Sequence, residues 1–104
     1  MSLEAGASLP LGIFELDGDG RILAYSTYGS SLLGRPKTEI IGKNFFNEVA
    51  GADGPKLEER FHHVYRDRIP FNKSQVGGEA ETRQSVLMMF FPETRSVMVK
   101  VDRL

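Results

Sequence analysis

Two adjacent histidines and the glutamates before them are the residues of this chain best suited to chemistry. Glu58 and Glu59 precede His62 at spacings of four and three residues, and His63 follows directly. Side chains three or four residues apart are neighbours on a helix, so this spacing has the form of a metal-binding face. Favourable electrostatic interactions of these side chains on an exposed helix explain the spacing more simply. The residues themselves therefore predict a solvated helix face without a metal.

A second candidate is the acidic, glycine-rich segment Asp17-Gly18-Asp19-Gly20. An EF-hand calcium loop needs a bidentate glutamate at its position 12, and that position counted from Asp17 is Tyr28. Glycine tolerates the positive φ that tight turns require. The segment therefore predicts the turn of a hairpin rather than a calcium site.

The sequence contains no cysteine. Disulfides, thiolate zinc sites, thiol nucleophiles and cofactors linked through sulfur are therefore excluded. A nucleophile elbow, a phosphate-binding loop and a His-Glu metal motif are also missing. We therefore predict that the protein is not an enzyme and has no covalent cofactor.

Length and charge limit the remaining classes of function. The 104 residues suit one domain, which we place at residues 9–104 behind an N-terminal extension of residues 1–8. A net charge of -1 provides no basic excess to attract nucleic acid. No apolar run reaches the roughly 18 residues of a membrane span, and the N-terminus lacks the pattern of a signal peptide. We expect a cytoplasmic protein with no nucleic-acid or membrane partner.

The elements that position the N-terminal residues follow from the apolar pattern. Ile13–Leu16 and Ile22–Tyr25 flank the glycine-rich turn and predict a β-hairpin. Three short helical segments are predicted next: one that ends at Gly34, one at Lys37–Ile41, and one capped by Asn44.

A longer helix carries the histidines. It is predicted at Lys56–Arg68, because Leu57, Phe61, Val64 and Arg68 recur at spacings of three and four and so share one stripe. The two histidines fall on either side of that stripe. The helix should therefore bury the stripe against a sheet and expose its charged side.

Strand patterns return in the C-terminal part of the chain. Phe71–Val76 predicts an edge strand. Ser85–Phe91 and Ser96–Val101, joined by the turn Pro92–Arg95, predict an antiparallel hairpin. Strands at both ends with helices between them predict an α+β fold, in which the helices pack on one face of an antiparallel sheet.

The segment Leu9–Ala52 resembles the photoactive yellow protein branch of the PAS sensor domains. The resemblance rests on Leu16-Asp17-Gly18-Asp19-Gly20, on Tyr25 and Gly34-Arg35, and on Gly42-Lys43-Asn44-Phe45-Phe46. It implies a PAS fold: a five-stranded antiparallel sheet whose short helices and one longer helix enclose a pocket on one face. It also implies a sensory or signalling role. The sequence carries no kinase, cyclase or DNA-binding output of its own, so we expect the signal to pass to a separate signalling protein.

The resemblance also maps the light-absorbing chemistry of that family onto four positions. In photoactive yellow proteins a cysteine carries a p-coumaroyl thioester, a tyrosine and a glutamate bind its phenolate, and an arginine closes the pocket. Tyr25 and Arg35 occupy the tyrosine and arginine positions, whereas Gly29 and Ala52 occupy those of the glutamate and the cysteine. Without the thiol no thioester can form, so we predict no p-coumaroyl photocycle.

A ligand pocket is implied by the same alignment. Loss of a carboxylate and a sulfur removes volume, which is either filled by neighbouring side chains or open to a small apolar or aromatic molecule. The predicted pocket residues are Phe14, Tyr25, Gly29, Leu33, Arg35, Phe45, Val49 and Ala52. The candidates for filling it are Phe14, Tyr28, Leu33 and the Met88-Met89 pair.

Haem binding is an alternative hypothesis. Gas-sensing PAS domains often hold haem iron through a histidine of the long helix, which makes His62 and His63 the alternative haem ligands. The helical period turns both away from the inward stripe. The same residues are therefore predicted to be solvated, and haem sensing of gas or redox state stays the weaker alternative.

A ligand-free dimerisation or docking module is the other alternative. Leu87, Met89 and Phe91 lie on one face of the last hairpin, whereas Met88 and Phe90 lie on the other. A hairpin that is apolar on both faces needs a cover on the side away from the core. We therefore predict a homodimer or partner interface at that face, to which the segment Leu3–Leu9 contributes.

Overall fold

The computed structural model describes residues 11–27, 36–50, 54–75 and 84–103. The predicted helix before Gly34 and the Leu3–Leu9 segment lie outside these ranges, as do the predicted site residues Gly29, Leu33, Arg35 and Ala52 and the candidate filler Tyr28. Within the ranges a five-stranded antiparallel sheet has the order β2-β1-β5-β4-β3. Its strands are β1 (Gly12–Leu16), β2 (Ile22–Thr27), β3 (Phe71–Gln75), β4 (Gln84–Phe91) and β5 (Ser96–Arg103).

The helical segments lie between β2 and β3. They are a 3-10 helix at Lys37–Glu39, α1 (Phe45–Glu48) and α2 (Gly54–Asp67). The α+β class, the antiparallel sheet and the single longer helix predicted from the sequence are thus confirmed. No helix within the described ranges is long and apolar enough to span a membrane.

The turn between β1 and β2 is built by one carboxylate. Asp17 Oδ1 accepts hydrogen bonds from the backbone N–H groups of Asp19 and Arg21, each at 2.9 Å. Gly20 has a backbone φ of 82°, a value that residues with a Cβ rarely adopt. The acidic, glycine-rich segment therefore closes a hairpin, as its residue types predict.

The start of α2 depends on a close approach between two helices. A Cβ added to Gly54 would collide with the backbone carbonyl oxygen of Phe46, so only glycine lets α2 begin against α1. Pro55 follows in the first helical turn, where its missing N–H leaves no hydrogen bond unmade. The helix consequently begins two residues before the Lys56 start predicted from the sequence.

The core lies between the inner face of the sheet and the helices. Alternation along β4 and β5 turns Val86 and Met88, and then Val97, Val99 and Val101, toward α2, and all five are completely buried. The other fully or almost fully buried apolar residues are Phe14, Leu16, Ile22, Ile40, Phe45, Phe46, Ala50, Leu57, Phe61 and Val64. Burial of this many side chains from one stripe of α2 and one face of the sheet is the main source of stability.

Candidate functional site

The interior that the resemblance assigns to a ligand is lined by a series of aromatic rings. At its N-terminal end the Tyr25 ring stacks on Phe14 with centroids 6.0 Å apart. Phe14 in turn lies 4.8 Å from Phe45, and Phe45 lies 5.2 Å from Phe46 in an edge-to-face arrangement. These separations are those of aromatic groups in direct contact. Rings of β1, β2 and α1 thus contact one another in this part of the core.

The same series continues along α2 to the sheet. Phe46 lies 5.2 Å from Phe61, Phe61 lies 6.2 Å from Tyr65, and Tyr65 meets Phe90 of β4 edge to face at 5.4 Å. Phe61 is completely buried, whereas Tyr65 and Phe90 are partly buried. The series of rings therefore runs from the β2 edge of the sheet to the C-terminal end of α2.

Four predicted pocket residues lie inside the described ranges. Phe14 and Phe45 are completely buried, and Tyr25 and Val49 are partly buried against the same core. Phe14 is in contact with both Tyr25 and Phe45, and Val49 packs against the same core.

The candidates for filling the interior separate into two groups. Phe14 and Met88 are completely buried and do occupy the core. Met89 was expected to share that role, but 40% of it is exposed on the opposite face. Successive residues of a strand point to opposite faces, so a Met-Met pair cannot place both side chains inside.

Both histidines of α2 are exposed. The His63 side chain is 53% exposed, and its Nδ1 lies 3.4 Å from Asp67 Oδ2 and 3.3 Å from Arg66 Nη2. Leu57, Phe61 and Val64 of the predicted stripe are buried. The prediction is wrong for Arg68, because α2 ends at Asp67 and Arg68 is exposed. Neither imidazole points into the core, so the geometry does not favour an interior haem. Across the described residues, no group of three or more metal-ligating side chains is placed to hold a metal ion.

The outer face of the sheet is the second predicted site. Met89 is 40% and Phe91 37% exposed, and Leu87 beside them is half-buried. Met98 lies opposite Met89 across the β4–β5 pair, and Lys100 lies opposite Leu87. The three predicted interface residues therefore do share one solvent-facing surface.

Charged side chains border this apolar surface. Lys100 Nζ lies 3.4 Å from Asp102 Oδ2. Glu15 Oε2 accepts a 2.8 Å hydrogen bond from the hydroxyl of Ser96, which is itself 2.6 Å from the Thr94 hydroxyl. The surface thus combines apolar residues with one base and two acids.

One cluster at the end of α2 was not predicted from the sequence. The Arg68 guanidinium carbon lies 3.7 Å from the centroid of the Phe90 ring and 5.8 Å from that of Tyr65. Arg68 also donates a hydrogen bond to the Tyr65 carbonyl oxygen. The spacing of Tyr65 four residues after Phe61 is a signal that could have found part of this cluster, since such residues are neighbours on a helix.

Comparison with known proteins places this arrangement in a family context. Residues 4–99 match the PAS fold family. A photoactive yellow protein of Cereibacter sphaeroides is 31% identical over 99 residues, which cover 91% of this chain and 80% of the relative. A photoactive yellow protein of Rhodobacter capsulatus is 37% identical over 67 residues, which cover 64% of this chain and 49% of the relative.

Solved structures agree on the fold. The photoactive yellow protein domain of the sensor histidine kinase Ppr from Rhodospirillum centenum is 28% identical with a TM-score of 0.65, covering 93% of this chain and 88% of that domain. The RpfR quorum-sensing receptor PAS domain of Cronobacter turicensis, in complex with BDSF, has a TM-score of 0.64 at 15% identity. That match covers 100% of this chain and 99% of the receptor domain, and at such low identity it shows the fold alone.

Proposed function

Because the chain belongs to the PAS fold family and is related to the photoactive yellow proteins, we propose that it is a non-enzymatic signalling domain without a light-driven cofactor. The sequence has no cysteine, and Ala52 stands where the resemblance places the chromophore thiol. A p-coumaroyl group cannot be held as a thioester without that thiol. Signalling must therefore begin with an event other than absorption of light by this group.

Reconstitution tests the loss of photochemistry. Activated p-coumaric acid added to the wild-type protein is expected to leave its mass unchanged, because it contains no thiol. The variant Ala52→Cys is expected to gain one p-coumaroyl mass, measured by intact-mass spectrometry. Ser26→Cys, which places a thiol at an exposed position of β2, controls for unspecific acylation. A wild-type adduct that gives a visible, bleachable absorption band would refute the proposal.

The proposed mode of action is docking of a second copy on the outer face of the sheet. The observation that carries it is the exposure of Met89 and Phe91 beside Leu87, while the inner face of the same strand is covered. Large apolar side chains exposed together on one face are typical of interaction sites.

Charge is the reason for choosing a second copy as the occupant. The surface carries both Lys100 and Glu15, so two copies related by a two-fold axis can set the base of one against the acid of the other. A partner of one charge sign would meet a like charge at either Lys100 or the acids Glu15 and Asp102. The chain would then act as a homodimer that passes its signal to a separate signalling protein.

Native mass spectrometry of the purified protein tests this mode. We expect a ligand-free dimer for the wild type and a monomer for Met89→Glu, because a carboxylate at the centre of an apolar interface is costly to bury. Ile41→Glu introduces the same charge at another exposed apolar residue, 37% exposed and outside the sheet, and should leave the dimer intact. A wild-type monomer, or a dimer unaffected by Met89→Glu, would exclude this interface.

Small-ligand sensing is the second candidate function. Its support is the partly buried Tyr25 and Val49 at one end of the series of rings, together with a PAS neighbour that is described in complex with BDSF. A ligand would act by binding one of two conformations more tightly. In the same native spectra, a monomer with a stoichiometric small-molecule adduct would favour this function over docking.

A further inference from the structure

A groove on the outside of the molecule lies between the last two turns of α2 and the start of β3. It has a volume of about 180 Å³ and is lined by Arg60, His63, Val64, Asp67, Ile69, Pro70 and Phe71. It is separate both from the series of rings in the core and from the outer face of the sheet. Its lining combines an apolar wall with charged groups at its rim.

The apolar wall is unusually exposed. Ile69 is 66% exposed, more than any other large apolar residue of the described ranges. Val64, only 1% exposed, closes the floor, and Phe71 is half-buried beside it. An apolar molecule in the groove would therefore cover side chains that water now contacts, which is favourable in proportion to the area removed from water.

One cation of the rim is available to a ligand. The Arg60 guanidinium carbon lies 5.7 Å from the centroid of the Phe71 ring. The ion pairs of the described residues are His63–Asp67, Arg66–Asp67 and Lys100–Asp102, so none of them neutralises Arg60. A guanidinium held beside an aromatic ring is well placed to pair with a carboxylate.

Asp67 is the second charged group at the rim of the groove, and with Arg60 it determines how a bound anion is oriented. Asp67 is paired with His63 and Arg66, and it lies seven residues beyond Arg60, roughly 10 Å along the helix axis. Arg60 attracts a ligand carboxylate, whereas the end of the groove at Asp67 already holds a carboxylate with its own cationic partner. The apolar part of the ligand must then extend toward Ile69 and Pro70.

We propose that this groove binds small monoaromatic carboxylates, with the carboxylate on Arg60 and the ring against Ile69, Pro70 and Phe71. The volume sets the size of the ligand, since a cavity of about 150 Å³ accommodates one benzene ring. Longer drug-sized molecules need pockets of roughly 300 Å³ or more. One ring with a short carboxylate arm fits both the available space and the charge.

NMR titration of the ¹⁵N-labelled protein tests the proposal, with 3-phenylpropionate as the probe. Saturable shifts are expected at the amides of α2 and β3 around the groove. The neutral analogue 3-phenylpropionamide should bind about threefold to fivefold more weakly, the range of an exposed ion pair. Acetate, which lacks the ring, should give no saturable shifts.

Two variants assign the binding to the named groups. Arg60→Gln should weaken 3-phenylpropionate about threefold to fivefold and abolish the preference for the acid over the amide. Ile69→Asn should weaken both probes, and its high exposure makes loss of folding unexpected. Lys43→Gln, which removes an exposed positive charge far from the groove along the chain, should change neither.

These experiments test binding in the groove independently of any ligand binding in the core. Loss of acid preference in Arg60→Gln alone supports the assignment. Shifts confined to the rings of β1, β2 and α1, a preference retained in Arg60→Gln, or the absence of saturable binding to the wild type would each overturn it.

Discussion

Arg68 combines backbone strain with a strong local contact. Its φ is 63°, in the left-handed region that side chains with a Cβ seldom occupy, yet its guanidinium lies over the Phe90 ring. The contact between cation and ring offsets the cost of that backbone conformation. Arg68 therefore ends α2 and also joins it to β4.

Truncation of this side chain should measure the contact. Arg68→Ala loses both the cation–π interaction and the hydrogen bond to the Tyr65 carbonyl oxygen, so we expect a loss of about 1 to 2 kcal/mol in the free energy of unfolding. Urea denaturation with an unchanged m-value provides the measurement. Arg66→Ala is the matched control, because its side chain is 67% exposed and its pairing with Asp67 should contribute under about 0.5 kcal/mol. Equal losses in the two variants would contradict this account.

Single residues were predictable where one residue type has one strong preference. The alternation of β4 correctly separates Met89 and Phe91 from Met88, and the period of α2 correctly exposes His63. The positive φ of Arg68 was not predictable, because arginine gives no local signal for that conformation. The contact of Arg60 with Phe71 likewise depends on how α2 and β3 meet, which only the packed structure determines.

At the scale of elements, α1 is held in place by one amide side chain. Asn44 Oδ1 accepts hydrogen bonds from the backbone N–H groups of Phe46 and Asn47, at 2.9 and 3.0 Å. Its Nδ2 donates to the carbonyl oxygen of Asp19 at 3.1 Å. Asn44 thus caps a four-residue helix and also ties it to the turn of the first hairpin.

Two substitutions separate these roles. Asn44→Ala loses the cap and the tie and should cost about 1 to 2 kcal/mol of unfolding free energy. Asn44→Asp keeps the acceptor of the cap but cannot donate to Asp19, so its cost should be smaller. Chemical denaturation compares them, with the exposed Asn47→Ala as a control expected to stay within about 0.5 kcal/mol. An aspartate variant as unstable as the alanine variant would show that the tie, not the cap, dominates.

Elements were predicted well where periodicity and capping residues agree. Both hairpins, the Asn44 cap and the stripe of α2 follow from local residue types. The 3-10 helix at Lys37–Glu39 is shorter than the predicted Lys37–Ile41 helix, because Gly42 donates its N–H to the Ile22 carbonyl and draws the chain onto β2. The hydrogen bond between Gly42 and Ile22 joins residues distant in sequence, so no local sequence pattern predicts it.

For the whole molecule, sheet order sets the distribution of stability. β5 is the central strand, between β1 and β4, whereas β3 pairs only with β4 among the described strands. Native-state hydrogen exchange should therefore be slowest in β5. The β3 amides that are hydrogen-bonded to β4 should exchange more than about tenfold faster, since an edge strand opens locally without global unfolding. Uniform protection across the sheet would show that it opens only as one unit.

The central position of β5 beside β1 has a mechanical consequence. Gly12, where β1 begins, lies opposite Val101 near the end of β5. Force applied at these two residues would act on one end of the β1–β5 pairing. Its hydrogen bonds would then break one after another, as in unzipping. The sheet would then separate at low force into the β1–β2 hairpin and the β3–β5 meander. Force transmitted by attached segments would therefore break the sheet between β1 and β5.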